Sequence, residues 1–160
     1  MNYNECIHYL EKEVGFGSVP GLERIQALCD KLGNPEKKLS VIHVAGTNGK
    51  GSAVAMLSSI LQAAGYRVGT YTSPHLECYN ERFLINGQQI TNDDFAKEIT
   101  LMKNICAELK VEGQAVPTLF EIVTGAAFHY FVEQNVDVLI LEVGLGGKYD
   151  ATNIIPSPLL

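Results

Sequence analysis

Val41-Ile42-His43-Val44-Ala45-Gly46-Thr47-Asn48-Gly49-Lys50-Gly51-Ser52 is the stretch on which the fold turns. Five residues with an apolar bias read as a short strand, and a glycine-rich turn follows at once. Residues 50–64 then repeat apolar side chains at helical spacing, with Val54, Leu57, Ile60, Leu61 and Ala64 expected inward and Gly65 as the stop. Strand, glycine turn, helix is the order a phosphate cradle needs. Glycines let consecutive N–H groups converge on one anion. The helix N-terminus adds partial positive charge, and Lys50 adds a full one. A cation in a first helical turn opposes the dipole by about 0.3–1 kcal/mol unless an anion neutralises it. Gly46, Thr47, Asn48, Gly49, Lys50, Gly51 and Ser52 are therefore the candidate nucleotide-binding residues, with the Ser52 hydroxyl free to turn toward Mg²⁺ or a phosphate oxygen. The pattern departs from GxxxxGK[ST], because Val44 stands at the first glycine and Gly51 at the hydroxyl position.

Outward from this loop, residues 2–12 and 21–32 read as helices, joined by a glycine-rich loop over 15–21. A second strand spans 66–72. Asn86-Gly87 suits a type I′ turn and predicts a hairpin over 81–90. Thr91 with Asp94, and Thr118 with Glu121, have capping-box spacing. The first opens a helix burying Phe95, Ile99, Met102, Ile105, Cys106 and Leu109. The second opens a helix running to Gln134 with Leu119, Ile122, Val123, Ala126 and Tyr130 inward. Residues 136–143 form a nearly continuous apolar strand, as expected where a parallel sheet is covered on both faces. The alternation predicts a three-layer α/β domain with a mostly parallel sheet between helices.

Composition bounds the function. The 160 residues are 46% hydrophobic and 19% charged, with 18 acidic against 12 basic side chains and a net charge of −6. That balance argues against a nucleic-acid partner, which requires a basic face. Cys6, Cys29, Cys78 and Cys106 lack metal-knuckle or CxxC spacing. No signal-peptide pattern opens the chain, and no apolar run reaches the ~20 residues that span a bilayer. A cytoplasmic protein without a membrane partner is the expectation. The apolar run Ile154-Ile155-Pro156-Ser157-Pro158-Leu159-Leu160 reads as a domain cut short just before or inside a strand.

Several separated motifs then stand in one order: His43 to Ser52, Tyr71-Thr72-Ser73-Pro74-His75-Leu76, Asn80-Glu81-Arg82, Thr118-Leu119-Phe120-Glu121, Leu141-Glu142-Val143-Gly144-Leu145-Gly146-Gly147, and Asp150-Ala151-Thr152-Asn153. Together they resemble folylpolyglutamate synthase and its bifunctional relative dihydrofolate synthase, of the Mur-ligase superfamily. The resemblance covers nearly the whole chain but only the N-terminal ATP-binding portion of a longer enzyme. That enzyme's C-terminal glutamate-binding domain, a metal-binding histidine and a modified lysine all lie outside it.

The resemblance implies an ATP- and Mg²⁺-dependent ligase joining L-glutamate to folate or dihydropteroate through an acyl phosphate. The full-length protein is expected to be monomeric, and this chain alone to bind nucleotide weakly and turn over little. Lys50 and Glu142 become the catalytic candidates, and Ser73 and Glu142 the metal ligands. Pro74, His75 and Arg82 are candidate substrate contacts; on residue type alone, His75 would be an exposed loop histidine and Arg82 a solvated one. Asp137, at the far end of the last strand, is expected to be idle. A nucleotide-dependent switch, a small kinase or a non-catalytic module are the rival classes. The absence of an Asn-Lys-x-Asp guanine motif weighs against the first.

Overall fold

The computed structural model describes residues 1–160 except Phe16 and Ser18, so part of the loop expected over 15–21 lies outside the described residues. Among the described residues five strands are present: β1 (Val41–Val44), β2 (Val68–Tyr71), β3 (Phe83–Ile85), β4 (Gln88–Gln89) and β5 (Val138–Glu142). They form one sheet in the order β1-β5-β2-β3-β4. β5 pairs in parallel with β1 on one side and β2 on the other, while β3 and β4 are antiparallel. The helices are α1 (Tyr3–His8), α2 (Glu23–Lys31), α3 (Lys50–Ala63), α4 (Asn92–Val111) and α5 (Leu119–Glu133). The mixed, mostly parallel sheet between helical layers matches the expected class.

Alternation along the strands divides the core. Leu139 and Leu141 of β5, with Tyr71 of β2, join the large cluster formed with α1, α2, α4 and α5. Ile140 and Val68 face the other way, toward Val54, Leu57 and Leu61 of α3. All five residues of β5 are buried, and Val138 to Leu141 accordingly show no polar alternate; Glu142 at the carboxyl end is its one polar residue.

Some expectations need correction. Ile60 and Ala64 do not turn inward: Ile60 is 64% exposed, as is Met56 at 63%, and Ala64 is exposed. Apolar residues run round most of α3, so periodicity alone could not choose its buried face. The first helix changes to a π-helical turn at Tyr9–Val14, and Gly15 at φ 73° closes it. At Thr118 the capping box is complete, with Glu121 accepting the Thr118 N–H at 2.7 Å. At Thr91 it is half-made: the shorter Asp94 carboxylate takes the Thr91 hydroxyl at 2.8 Å rather than its N–H. The hairpin turns at Asn86-Gly87 with φ of 48° and 77°, as a type I′ turn requires. Glu81 and Arg82, however, belong to a preceding 3₁₀ turn, Tyr79–Arg82. Leu159 donates to the Val41 carbonyl and Leu160 accepts from the His43 N–H, both along the free edge of β1. Asp137 joins strand ends by accepting the Arg67 N–H at 2.7 Å, on the sheet edge opposite the glycine loops.

Candidate functional site

Parallel register puts Val44 beside Glu142 and Tyr71 beside Leu141. The carboxyl ends of β1, β5 and β2 therefore open on one edge, and the loops after them (45–49, 143–150 and 72–78) converge there. In open α/β sheets this edge is where ligands bind.

The loop after β1 is exposed and conformationally special. Gly46 and Gly49 have φ of 154° and 79°, and Gly49 is the N-cap of α3. At φ 79° a β-carbon would be strained, so glycine is required at Gly49 for the chain to enter the helix. No acidic side chain lies in the first turn of α3. Lys50 Nζ instead donates to the Gly46 carbonyl at 3.1 Å, folding the ammonium back over the loop. Gly46, Thr47 and Lys50, with Val143 to Gly146, line a cavity of about 390 Å³. Asn48, Gly49, Gly51 and Ser52 belong to the same exposed turn outside that lining.

The structure brings Ser73 and Glu142 together. Glu142 is 6% exposed, and its Oε2 accepts the Ser73 backbone N–H at 3.1 Å. One carboxylate and one hydroxyl are hard oxygen donors suited to Mg²⁺, which keeps several waters and leans on substrate phosphates for the rest of its shell. Among the described residues there is no group of three His, Cys, Asp or Glu side chains able to hold a metal ion alone. The residues fit an ion shared with a nucleotide.

On the other side of Gly144 to Gly146 lies a cavity of about 660 Å³. Ser73, Pro74, Arg82, Phe120, Tyr149 and Asp150 are among its lining residues. Arg82 is buried rather than solvated, at 8% exposure. His75 is half-buried, outside the lining, and accepts from Arg82 Nε at its Nδ1, 2.9 Å away. Its ring packs on Tyr79 at 4.3 Å. Burial holds the His75 pKa below its ordinary value, and the Arg82 charge pushes the same way.

Two carboxylates that the sequence reading left without a role organise these loops. Glu81 accepts the N–H groups of Leu76, Glu77 and Cys78 at 2.7–2.8 Å, and these bonds lower its pKa to about 2. The signal was available, since Cys78 and Glu81 have capping-box spacing. Asp150 accepts from Leu145 N–H at 2.8 Å and Thr152 N–H at 3.0 Å. Thr152 Oγ1 lies 2.5 Å from Asp150 and 2.9 Å from His43 Nε2. Burial lowers the His43 pKa, against the charge of Asp150.

No protein-family model matches the chain. Its sequence is 45% identical over 159 residues to the dihydrofolate synthase/folylpolyglutamate synthase of Bacillus subtilis, covering 99% of this chain and 37% of that protein. The crystal structure of folylpolyglutamate synthase from Thermotoga maritima superposes with a TM-score of 0.90 at 48% identity. It covers 98% of this chain, which covers 36% of it. The chain is homologous to the N-terminal part of the folylpolyglutamate synthase family. A folylpolyglutamate synthase in complex with AMPPCP and folate also superposes, with a TM-score of 0.92 at 36% identity over 99% of this chain and 39% of that one. This chain thus spans little more than a third of the length of these three relatives.

Proposed function

We propose that this chain is the nucleotide-binding part of a longer ATP-dependent ligase that joins L-glutamate to a folate, to dihydropteroate, or to both. One observation carries the reading. Two glycine loops leave the carboxyl ends of adjacent parallel strands and wall two neighbouring cavities, with Lys50 on one side and Ser73 over Glu142 between. A relative of this fold binds AMPPCP and folate together.

On this reading the smaller cavity takes the triphosphate and the larger one the acceptor. The two cavities share the Gly144–Gly146 wall, in which only Leu145 carries a side chain. Lys50 and the N–H groups of residues 46–52 neutralise the γ-phosphate as it passes to the acceptor carboxylate. The resulting acyl phosphate reacts with the glutamate amine, forming the amide and releasing phosphate. Ser73 and Glu142 would hold Mg²⁺, which supplies charge neutralisation between the phosphates and the acceptor. Pro74 and Arg82 line the acceptor side, and His75 supports it through its hydrogen bond with Arg82. No side chain is needed as a covalent nucleophile. The same reading makes the complete protein cytoplasmic and monomeric; among the described residues no helix is long and apolar enough to cross a membrane.

The test is calorimetric titration of the chain with ATP and with GTP, each with and without Mg²⁺. Mg²⁺-dependent binding that favours ATP supports the reading. Equal affinity for GTP, or indifference to Mg²⁺, refutes it. Ligation by these 160 residues alone at the rate of an intact relative refutes the assignment of the chain as a part.

A further inference from the structure

The glycine loop after β1 hangs on one side-chain contact. Among the described residues, His43 makes the only side-chain hydrogen bond from residues 41–49 to another element. Its Nε2 lies 2.9 Å from Oγ1 of Thr152, in the 3₁₀ turn Ala151–Ile154. Main-chain pairing of β1 with β5 ends where Val143 N–H donates to the Val44 carbonyl at 2.9 Å. Ala45 to Gly49 are exposed beyond it, and the Lys50 ammonium bonds only back to Gly46. Where the end of β1 sits therefore decides where the N–H groups of the loop point.

The order of protons along this contact follows from its partners. Both Asp150 oxygens accept backbone N–H groups, Oδ1 from Thr152 at 3.0 Å and Oδ2 from Leu145 at 2.8 Å. The Thr152 hydroxyl, 2.5 Å from Oδ1, is therefore the donor in that contact. With its one hydrogen used there, Oγ1 can only accept from His43, so the imidazole donates from Nε2. Burial lowers the His43 pKa, against the charge of Asp150, and leaves Nδ1 without a proton. Thr152 is wholly buried and His43 half-buried, so a broken bond would leave a polar group with no water to replace its partner. Neither side chain lines either cavity.

We propose that His43 and Thr152 are positioning residues for the glycine loop at 45–49: the bond from His43 Nε2–H to Thr152 Oγ1 locks the end of β1 to the loop after β5. Through Asp150 the same chain of bonds reaches Leu145, which lines both cavities. The two loops that flank the reacting groups then keep one relative placement. Such placement matters because donors must be aimed before the anion arrives, and a shift of about 1 Å can cost about a hundredfold in rate. The consequence for ATP rests on the ligase reading above, whereas the ordering of the loop does not.

The experiment uses the 160-residue chain as wild type, Thr152→Val, Thr152→Ser, His43→Met and His43→Gln. Nitrogen-15 NMR reads the His43 tautomer and the backbone order parameters of residues 45–49, and calorimetry reads ATP with Mg²⁺ beside a thermal melt. We expect the Nε2–H tautomer in wild type, and lower order parameters at 45–49 in Thr152→Val and His43→Met. Both variants should bind ATP about tenfold more weakly. Thr152→Ser keeps the hydroxyl and His43→Gln keeps a donor, so both should return ATP to within about threefold of wild type. A role confined to stability would lower melting points without separating these pairs. The Nδ1–H tautomer, or order parameters unchanged in both Thr152→Val and His43→Met, overturns the proposal. So does equal loss of ATP affinity in Thr152→Val and Thr152→Ser. If Thr152→Val does not fold, the His43→Met and His43→Gln pair decides. If wild type binds no ATP, the ligase reading falls, and the tautomer and order parameters still decide the positioning.

Discussion

Replacing Lys50 with Ala should separate binding from folding, because the structure makes its contributions oppose each other in the free chain. Lys50 opens α3 behind Gly49, and no acidic residue shares the first turn. There the ammonium opposes the helix dipole by about 0.3–1 kcal/mol. Its hydrogen bond to the Gly46 carbonyl, at 3.1 Å, returns about 0.5–1.5 kcal/mol. Ala is also a slightly better helix former. These terms nearly cancel, so without ligand the midpoint of Lys50→Ala should stay within about 4 °C of wild type, the shift that ~1 kcal/mol gives at this size. Binding is different. A charge-assisted bond to phosphate contributes about 1.5–3 kcal/mol, from which the surrendered Gly46 bond subtracts roughly 1. The net loss of about 0.5–2 kcal/mol is a fall in ATP affinity of about 2–30-fold. Calorimetric titration with ATP and Mg²⁺, beside a thermal melt of each protein, measures both quantities. Unchanged affinity would refute the phosphate role. A melting point lowered by far more than 4 °C would show that Lys50 is structural instead.

Three further outcomes follow from packing and charge. A β-carbon at Gly125 of α5 would stand 2.6 Å from Leu28 Cδ2. Gly125→Ala should therefore lose about 1–3 kcal/mol to overpacking against about 1 kcal/mol gained in helix propensity, a net fall in thermal midpoint; in a Leu28→Ala background, itself destabilised by its cavity, adding Gly125→Ala should lower the midpoint no further. His129 Nδ1 lies 2.7 Å from Glu98 Oε2, and that hydrogen bond raises the His129 pKa above 6.5, against desolvation. A raised folded value means the contribution is complete below the unfolded pKa near 6.5 and is lost as pH climbs through the folded value. Urea titrations should show wild type losing more stability than His129→Gln between pH 6 and about pH 8.5, and equal losses would refute the pairing. At Gly144 a β-carbon would meet Phe120 Cζ at 2.6 Å and Asp150 Oδ2 at 3.1 Å. Gly144→Ala should push the Phe120 ring into the larger cavity, weakening pteroate more than ATP in paired titrations.

How far the sequence could be read depended on whether a residue's role was set by its neighbours in the chain. β5 was legible because a strand buried on both faces must be apolar throughout, and Val138 to Leu141 have no alternative. The turn between β1 and α3 was legible because only glycine passes easily through the positive φ that Gly46 and Gly49 adopt before the helix. Thr118 and Glu121 declared a helix start by spacing alone. Arg82 was illegible: the Cys78–Glu81 spacing signals the local turn, but burial of the residue that ends it is decided by tertiary packing, which no spacing states. Ile60 failed for another reason, since α3 has apolar residues on more than one face and only the sheet selects between them. Asp150 stood in a quoted motif, yet its work is to hold a backbone N–H five residues earlier, which residue type does not announce.

The middle position of β5 explains why its loop must be pinned. It lies between β1 and β2, so whatever follows Glu142 separates the two cavities. Leu145 reaches into both of them, while at Gly144 even a methyl group collides with Phe120. A loop with glycines at 144, 146 and 147 would wander without support, because glycine loses the most conformational freedom on ordering. Asp150 supplies the support from within the fold by taking Leu145 N–H, and Thr152 carries the connection to His43 on β1. His43 lies three residues before Gly46. The partition between the cavities and the strand that delivers the glycine loop at 45–49 are therefore tied to one buried carboxylate. Asp150→Asn, which keeps the shape but gives up the charge, should loosen both sites together while leaving β5 in place.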